Sequence, residues 1–187
     1  MISDLSKKLA KEITSLNIKK YRDETGLFFV EGEKFVNELP DGWDAAYYVI
    51  SEGFFAGKSG GPDAGVIRGY ENRAPVYAAP DGLYQKLSGT VSPQGILAVC
   101  KKRPQSLEDM YLTGGGFFVY CDGVSDPGNA GTLLRTADAA GAAGFVLSGD
   151  STDVFAPKAI RACAGSVFHL PVIAGVGQAE LLEFIDN

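Results

Sequence analysis

Two apolar runs, FFVYCDG (117–123) and GFVLSG (144–149), flank a single segment patterned as a helix, at about 128–140. Neither run alternates apolar with polar residues, as expected of strands covered on both faces in a parallel sheet. Strand, helix and strand in that order commit this half of the chain to an α/β architecture. The pattern continues with APKAIRACAG (156–165) as a helix, VFHLPVIAG (167–175) as a strand region, and QAELLEFIDN (178–187) as a helix running to the last residue.

The first hundred residues alternate in the same way. Leu5, Leu9, Ile13 and Leu16 recur at helical spacing, so residues 1–16 are expected to form an amphipathic helix. LFFV (27–30), AAYYVI (45–50), PVYAA (75–79) and GILAVCKK (95–102) read as strands. EGEKFVNEL (31–39) and PDGLYQKLS (80–88) read as helices, and Pro40, Asp41 and Gly42 stop the former. Residues 51–74 mix glycine with polar residues and show no long period. Charge, proline and three glycines interrupt the pattern at KKRPQSLEDMYLTGGG (101–116). The expected division is a domain at 1–105, a linker at 106–116 and a second domain at 117–187.

Charge bears on the partner. The net charge is −6, yet residues 1–22 carry a local +4 and the remaining 165 carry −10. Lys101, Lys102 and Arg103 form a second basic run. Local basic patches bind phosphate even on an acidic protein, with strong salt dependence; a solvated helix face is the competing reading. No run approaches the roughly 18 apolar residues of a membrane span, and the N-terminus has no apolar signal core. Cys100, Cys121 and Cys163 lie in apolar surroundings without a C-x-x-C pair, as free thiols of a reducing compartment would. With one histidine, His169, no histidine-based metal site is expected.

The turn DGVSDPGNAGTLLRTADAAG (122–141) holds Gly123, Gly128 and Gly131. Their spacing does not match the dinucleotide fingerprint, and no lysine supplies a P-loop. Asp126 before Pro127 suits an N-cap followed by proline at the first helical position. Gly128 and Gly131 clear side chains from the first turn, leaving room for something to approach. Helical side chains lean toward the N-terminus, so Arg135 extends back over Gly131 toward Asn129. An amide and a guanidinium at a helix N-terminus make a phosphate or ribose site. A plain helix cap, with Arg135 paired to Asp138, explains the same residues, and both readings stand.

This stretch resembles the first signature motif of the SpoU (TrmH-like) RNA 2′-O-ribose methyltransferases of the SPOUT class, D-x-x-x-D-P-x-N-x-G-x-x-x-R-x-A-x-x-x-G. Every fixed position is met. APKAIRACAGSVFHLPV (156–172) resembles the family's following helix and strand, with Lys158, Arg161, Gly165, Phe168 and Pro171 in register. KYRDETGLFFVEGEKFVNEL (20–39) and SPQGILAV (92–99) resemble the family's N-terminal substrate-binding domain.

The resemblance implies a small ribosomal-protein-like α/β substrate-binding domain followed by the first half of a SPOUT, trefoil-knot type, parallel-sheet domain. It implies methyl transfer from S-adenosylmethionine to a ribose 2′-hydroxyl, of rRNA rather than tRNA, by a cytoplasmic homodimer. Asn129 and Arg135 match the motif's catalytic asparagine and arginine. Lys19, Lys20, Arg22, Lys34 and Arg161 are the candidate RNA contacts, and no metal is implied. The family's later G-N-E type and S-L-N type motifs do not occur, so cofactor-binding residues stay unassigned. The expectation is an uncompleted knot, with a chain that is inactive alone, binds S-adenosylmethionine weakly or not at all, and self-associates. The competing function is a catalytically inert RNA-binding module.

Overall fold

The computed structural model describes residues 2–58, 64–113 and 116–186. Two compact units emerge, Met1–Lys102 and Arg103–Asn187.

The first unit is built on β1 (Ser3–Asp4), β2 (Leu27–Glu31), β3 (Ala45–Ser51), β4 (Val76–Ala79) and β5 (Ile96–Lys101), in the order β1-β4-β3-β5-β2. β1 and β3 run parallel to β4, while β5 lies antiparallel to β2 and β3. Side-chain alternation sorts the strands' residues between two faces. One face carries Phe29, Tyr47, Val49, Leu97 and Val99 against Ile13 and Leu16, at the end of α1 (Lys7–Ser15), and Tyr84 and Leu87 of α6 (Asp81–Ser88). On the other, the Tyr48 ring lies 5.1 Å from that of Tyr70 in α5 (Ala64–Arg73).

α1 starts where Ser6 Oγ accepts from Leu9 N at 3.2 Å and buries the expected apolar stripe. Four further elements depart from the sequence expectations. α2 (Lys19–Thr25) has almost no apolar face and is laced by exposed pairs, Lys19 to Asp23 at 2.7 Å and Lys20 to Glu24 at 3.7 Å. Residues 51–74 contain α4 (Glu52–Lys58) and α5, with residues 59–63 outside the described set. A short helix, α3 (Glu33–Asn37), stands where the longer 31–39 was expected.

Arg22 corrects a further expectation. It is 3% exposed, and its Nη1 donates to Leu16 O at 2.6 Å, a carbonyl left over at the end of α1. A guanidinium committed to closing a neighbouring helix is not a surface contact for RNA.

The second unit has three parallel strands in the order β6-β7-β8: β6 (Phe118–Cys121), β7 (Gly144–Leu147) and β8 (Val172–Ala174). Between β6 and β7 runs α7 (Pro127–Ala139), and between β7 and β8 runs α8 (Pro157–Cys163). α9 (Gln178–Asp186) follows β8, and Asn187 lies outside the described residues. The stretch expected to be a linker contains a 3-10 helix, Leu107–Thr113, whose Leu107 and Met110 pack with Val146, Ile173, Val176 and Leu181. Those two apolar side chains make it part of the second unit's core.

Candidate active site

Asp126 sets the start of α7. Its Oδ1 accepts from Asn129 N at 2.9 Å, and its Oδ2 accepts from Lys158 Nζ, on α8, at 2.6 Å. The Lys158 ammonium, then the Asn129 N–H, holds the Asp126 carboxyl below the usual carboxylate range. One side chain thus caps α7 and ties it to α8.

The loop before it hangs on hydroxyls from the end of β7. Ser148 Oγ accepts from Gly123 N at 2.9 Å, and Ser151 Oγ accepts from Val124 N at 3.1 Å. Ser148 in turn donates to Asp150 Oδ1 at 2.5 Å, and Ser151 to Cys121 O at 3.1 Å. Sequence reading passed over these residues; the polar cluster LSGDS directly after a buried strand was the available signal. The loop and the start of α7 therefore sit at the carboxyl ends of β6 and β7, where ligands bind in open α/β sheets.

The two glycines make room for the protein itself. A Cβ at Gly131 would run into the Ala159 carbonyl oxygen and stand 2.8 Å from Ala162 Cβ, both on α8. One at Gly128 would meet Asp126 Oδ1 at 2.9 Å and Lys158 Cε at 3.0 Å. The absent side chain at Gly131 lets α7 lie against the α8 backbone, and that at Gly128 leaves room for the Asp126 and Lys158 side chains. Open space lies elsewhere: Cβ atoms at Gly149 and Gly175, just beyond β7 and β8, would meet nothing within 4 Å.

Asn129 and Arg135 are both exposed on α7, and neither side chain has a hydrogen-bond or ion-pair partner among the described residues. Asp138, the alternative mate for Arg135, instead meets His169 Nδ1 at 2.7 Å. Arg161 is exposed on α8, one turn beyond Lys158 and likewise without a partner among the described residues. An amide, two guanidiniums and a helix N-terminus are thereby offered to solvent on one helix pair, a set suited to an anionic or hydroxyl-bearing ligand. In the first unit, Lys34 is exposed and unpaired among the described residues, whereas Lys19 and Lys20 are exposed but paired within α2. Among the described residues, no group of three or more His, Cys, Asp or Glu could hold a metal ion, and no helix is long and apolar enough to cross a membrane.

Residues 7–98 match the MRM3-like substrate binding domain and residues 116–187 match the SpoU rRNA Methylase family. The chain is 32% identical over 171 residues to the 23S rRNA (guanosine(2553)-2′-O)-methyltransferase RlmP of Bacillus subtilis, covering 87% of this chain and 60% of that protein. It is 29% identical over 184 residues to the mitochondrial rRNA methyltransferase 3 of Xenopus laevis, covering 91% of this chain and 40% of that one. The crystal structure of an AdoMet-bound rRNA methyltransferase from Sinorhizobium meliloti superposes with a TM-score of 0.81 at 31% identity, covering 99% of this chain and 67% of that chain. The chain thus spans 60% or less of the two curated relatives it resembles here.

Proposed function

Given that the chain belongs to the SpoU rRNA methylase family, we propose that the whole protein methylates a ribose 2′-hydroxyl of rRNA, with S-adenosylmethionine as donor. The observation that carries this reading is the pair Asn129 and Arg135, unpartnered among the described residues and presented on a helix whose start is fixed by Asp126. The rRNA-methylating relatives support the substrate class. The reading includes a cytoplasmic site of action and the homodimer that the family resemblance implies.

S-adenosylmethionine, when bound, supplies a sulfonium methyl group as electrophile, and the backbone at Gly149 and Gly175, where an added Cβ would meet nothing within 4 Å, is open to close approach. The chain's own residues handle the acceptor. A guanidinium stays protonated in proteins, so Arg135 is not the base. It clamps the phosphate next to the reacting ribose and stabilises negative charge as the 2′-oxygen releases its proton to solvent water. The Asn129 amide fixes the hydroxyl's orientation, since a 1 Å misplacement is costly in a positioning-dominated reaction. Arg161 and Lys34 bind RNA backbone, with Lys19 and Lys20 contributing less because each already faces a carboxylate.

The test is incorporation of labelled methyl from S-adenosylmethionine into unmodified rRNA. Arg135→Ala and Arg135→Lys are each expected to lower the rate by about 100-fold or more, with Asn129→Ala close behind. A fast Arg135→Lys enzyme would overturn the planar clamp. Absence of any incorporation by the whole protein into rRNA would overturn the reading and favour a binding module.

A further inference from the structure

Between α1 and α2 the first unit holds a cavity of about 260 Å³. Lys8, Lys11, Glu12 and Ser15 line it from α1, Tyr21 and Thr25 from α2, and the buried Leu16 completes the lining. That volume falls short of the roughly 300–1,000 Å³ of pockets that enclose drug-sized ligands. It suits one planar ring, not a whole cofactor.

Four features set its chemistry. Tyr21 is 41% exposed and Ile18, at the N-cap of α2, is 55% exposed, so an aromatic ring and an aliphatic side chain face solvent among charges. Lys8 and Lys11 are exposed and carry no ion pair or hydrogen bond among the described residues, unlike Lys19 and Lys20 nearby in sequence. Glu12 is held in place because its Oε1 accepts from Tyr47 Oη at 2.7 Å. Ser15 and Thr25 donate their hydroxyl protons to the Lys11 and Tyr21 carbonyls, at 2.8 and 2.6 Å; Thr25 Oγ1 also accepts from Leu27 N at 3.2 Å, whereas the Ser15 oxygen keeps its lone pairs for accepting.

We propose that this cavity takes one unstacked nucleobase of the RNA, with its ring against Tyr21 and its flanking phosphates on Lys8 and Lys11. The proposal rests on the reading that the substrate is RNA. An aromatic face beside free cations is the general means of holding single-stranded nucleic acid. The Glu12 carboxylate repels a phosphate and accepts from an exocyclic amine. Phosphates therefore stay on the lysine side, and adenine, cytosine or guanine is preferred to uracil.

Fluorescence anisotropy with labelled single-stranded and duplex oligoribonucleotides tests this. Tyr21→Ala is expected to weaken single-strand binding by about 5- to 150-fold, the equivalent of about 1–3 kcal/mol for one stacked base. Tyr21→Phe keeps the ring and the affinity, and duplex binding changes little in either variant. Replacing Lys8 and Lys11 together by Gln lowers the salt slope by about 1.4 on single strands, and these exposed positions do not threaten the fold. Lys86→Gln, on the exposed side of α6, leaves the slope as it was. Unchanged single-strand affinity in Tyr21→Ala, or an equal loss on duplex, would overturn the cavity assignment while leaving methyl transfer at Arg135 intact. A wild-type protein that binds no RNA would overturn both.

Discussion

Replacing Gly131 by Ala gives opposite signs depending on whether helix propensity or packing governs α7. In an open helix the change gains about 1 kcal/mol, because alanine is the better helix former. At Gly131 the new methyl would collide with the Ala159 carbonyl oxygen and approach Ala162 Cβ to 2.8 Å. A backbone carbonyl cannot swing aside as a long side chain does, so overpacking belongs near the top of the usual range of about 1–3 kcal/mol. The net expectation is a loss of about 2 kcal/mol in the second unit. Gly69, exposed in α5 with nothing within 4 Å of a Cβ, is the matched control and is expected to gain roughly 0.5–1 kcal/mol as Ala.

Each unit has its own probe. Trp43, the chain's single tryptophan, is buried in the first unit and reports denaturant unfolding there, so it registers Gly69→Ala. Hydrogen exchange at the amides of α7 and β7 reads Gly131→Ala locally, with protection falling by a factor of about 30 for 2 kcal/mol. Methyl transfer should fall in parallel, because α7 carries Asn129 and Arg135. A Gly131→Ala protein with raised protection in α7 would refute the packing account and return the glycine to a ligand-facing role.

Three further outcomes follow from the geometry. Asp126 titrates low in the folded state, so its stabilising contribution is complete above its ordinary value of about 3.9 and is lost as pH falls through the lowered one. Lys158→Gln removes the main cause and should move that acid limb to higher pH, as a carbon-detected carboxyl titration would show; an unmoved Asp126 would contradict the tie to α8. Tyr84 is 1% exposed and its hydroxyl has no partner among the described residues, so Tyr84→Phe should be neutral or stabilising by up to about 1 kcal/mol in thermal unfolding. Burial pushes the Cys100 thiol up to about 12, and Cys121 and Cys163 also titrate high and are buried. A thiol reagent at pH 8 should label none of the three until the chain is unfolded.

The elements read correctly from sequence were those whose apolar residues meet a sheet. β2, β3, β5 and β7 are continuous apolar runs, and α1 shows a clean stripe. α2, α4 and α5 escaped for other reasons. α2 is charged nearly throughout, α4 has no buried residue, and Gly53, Gly57, Gly65 and Gly69 dilute the helical signal across α4 and α5. Asp126 was legible because capping chemistry is local; a motif fixes the spacing of Asn129 and Arg135, and the structure leaves both exposed on α7. The occupant of the space at Gly131 was not legible, since Ala159 and Ala162 come from a helix about thirty residues on. Arg22 shows the converse: a basic residue inside a basic run looks like a surface contact until tertiary structure supplies a carbonyl for it. Tyr21 went unnoticed because one aromatic in a charged helix has no periodicity to announce the cavity beside it.

The two-residue β1 has a consequence for colloidal behaviour. Ser3 and Asp4 pair with Tyr77 and Ala78, and Leu5 N donates to Ala78 O at 2.8 Å before the chain turns into α1. Without that pairing, the apolar strand Val76–Ala79 would be the sheet's margin, open to pairing with another molecule. With it, the margin is a polar stub carrying the Asp4 carboxylate, too short to template an intermolecular strand. Ser3, Asp4 and Leu5 thus work as a hem on the sheet, and removing them would trade a polar edge for an adhesive one.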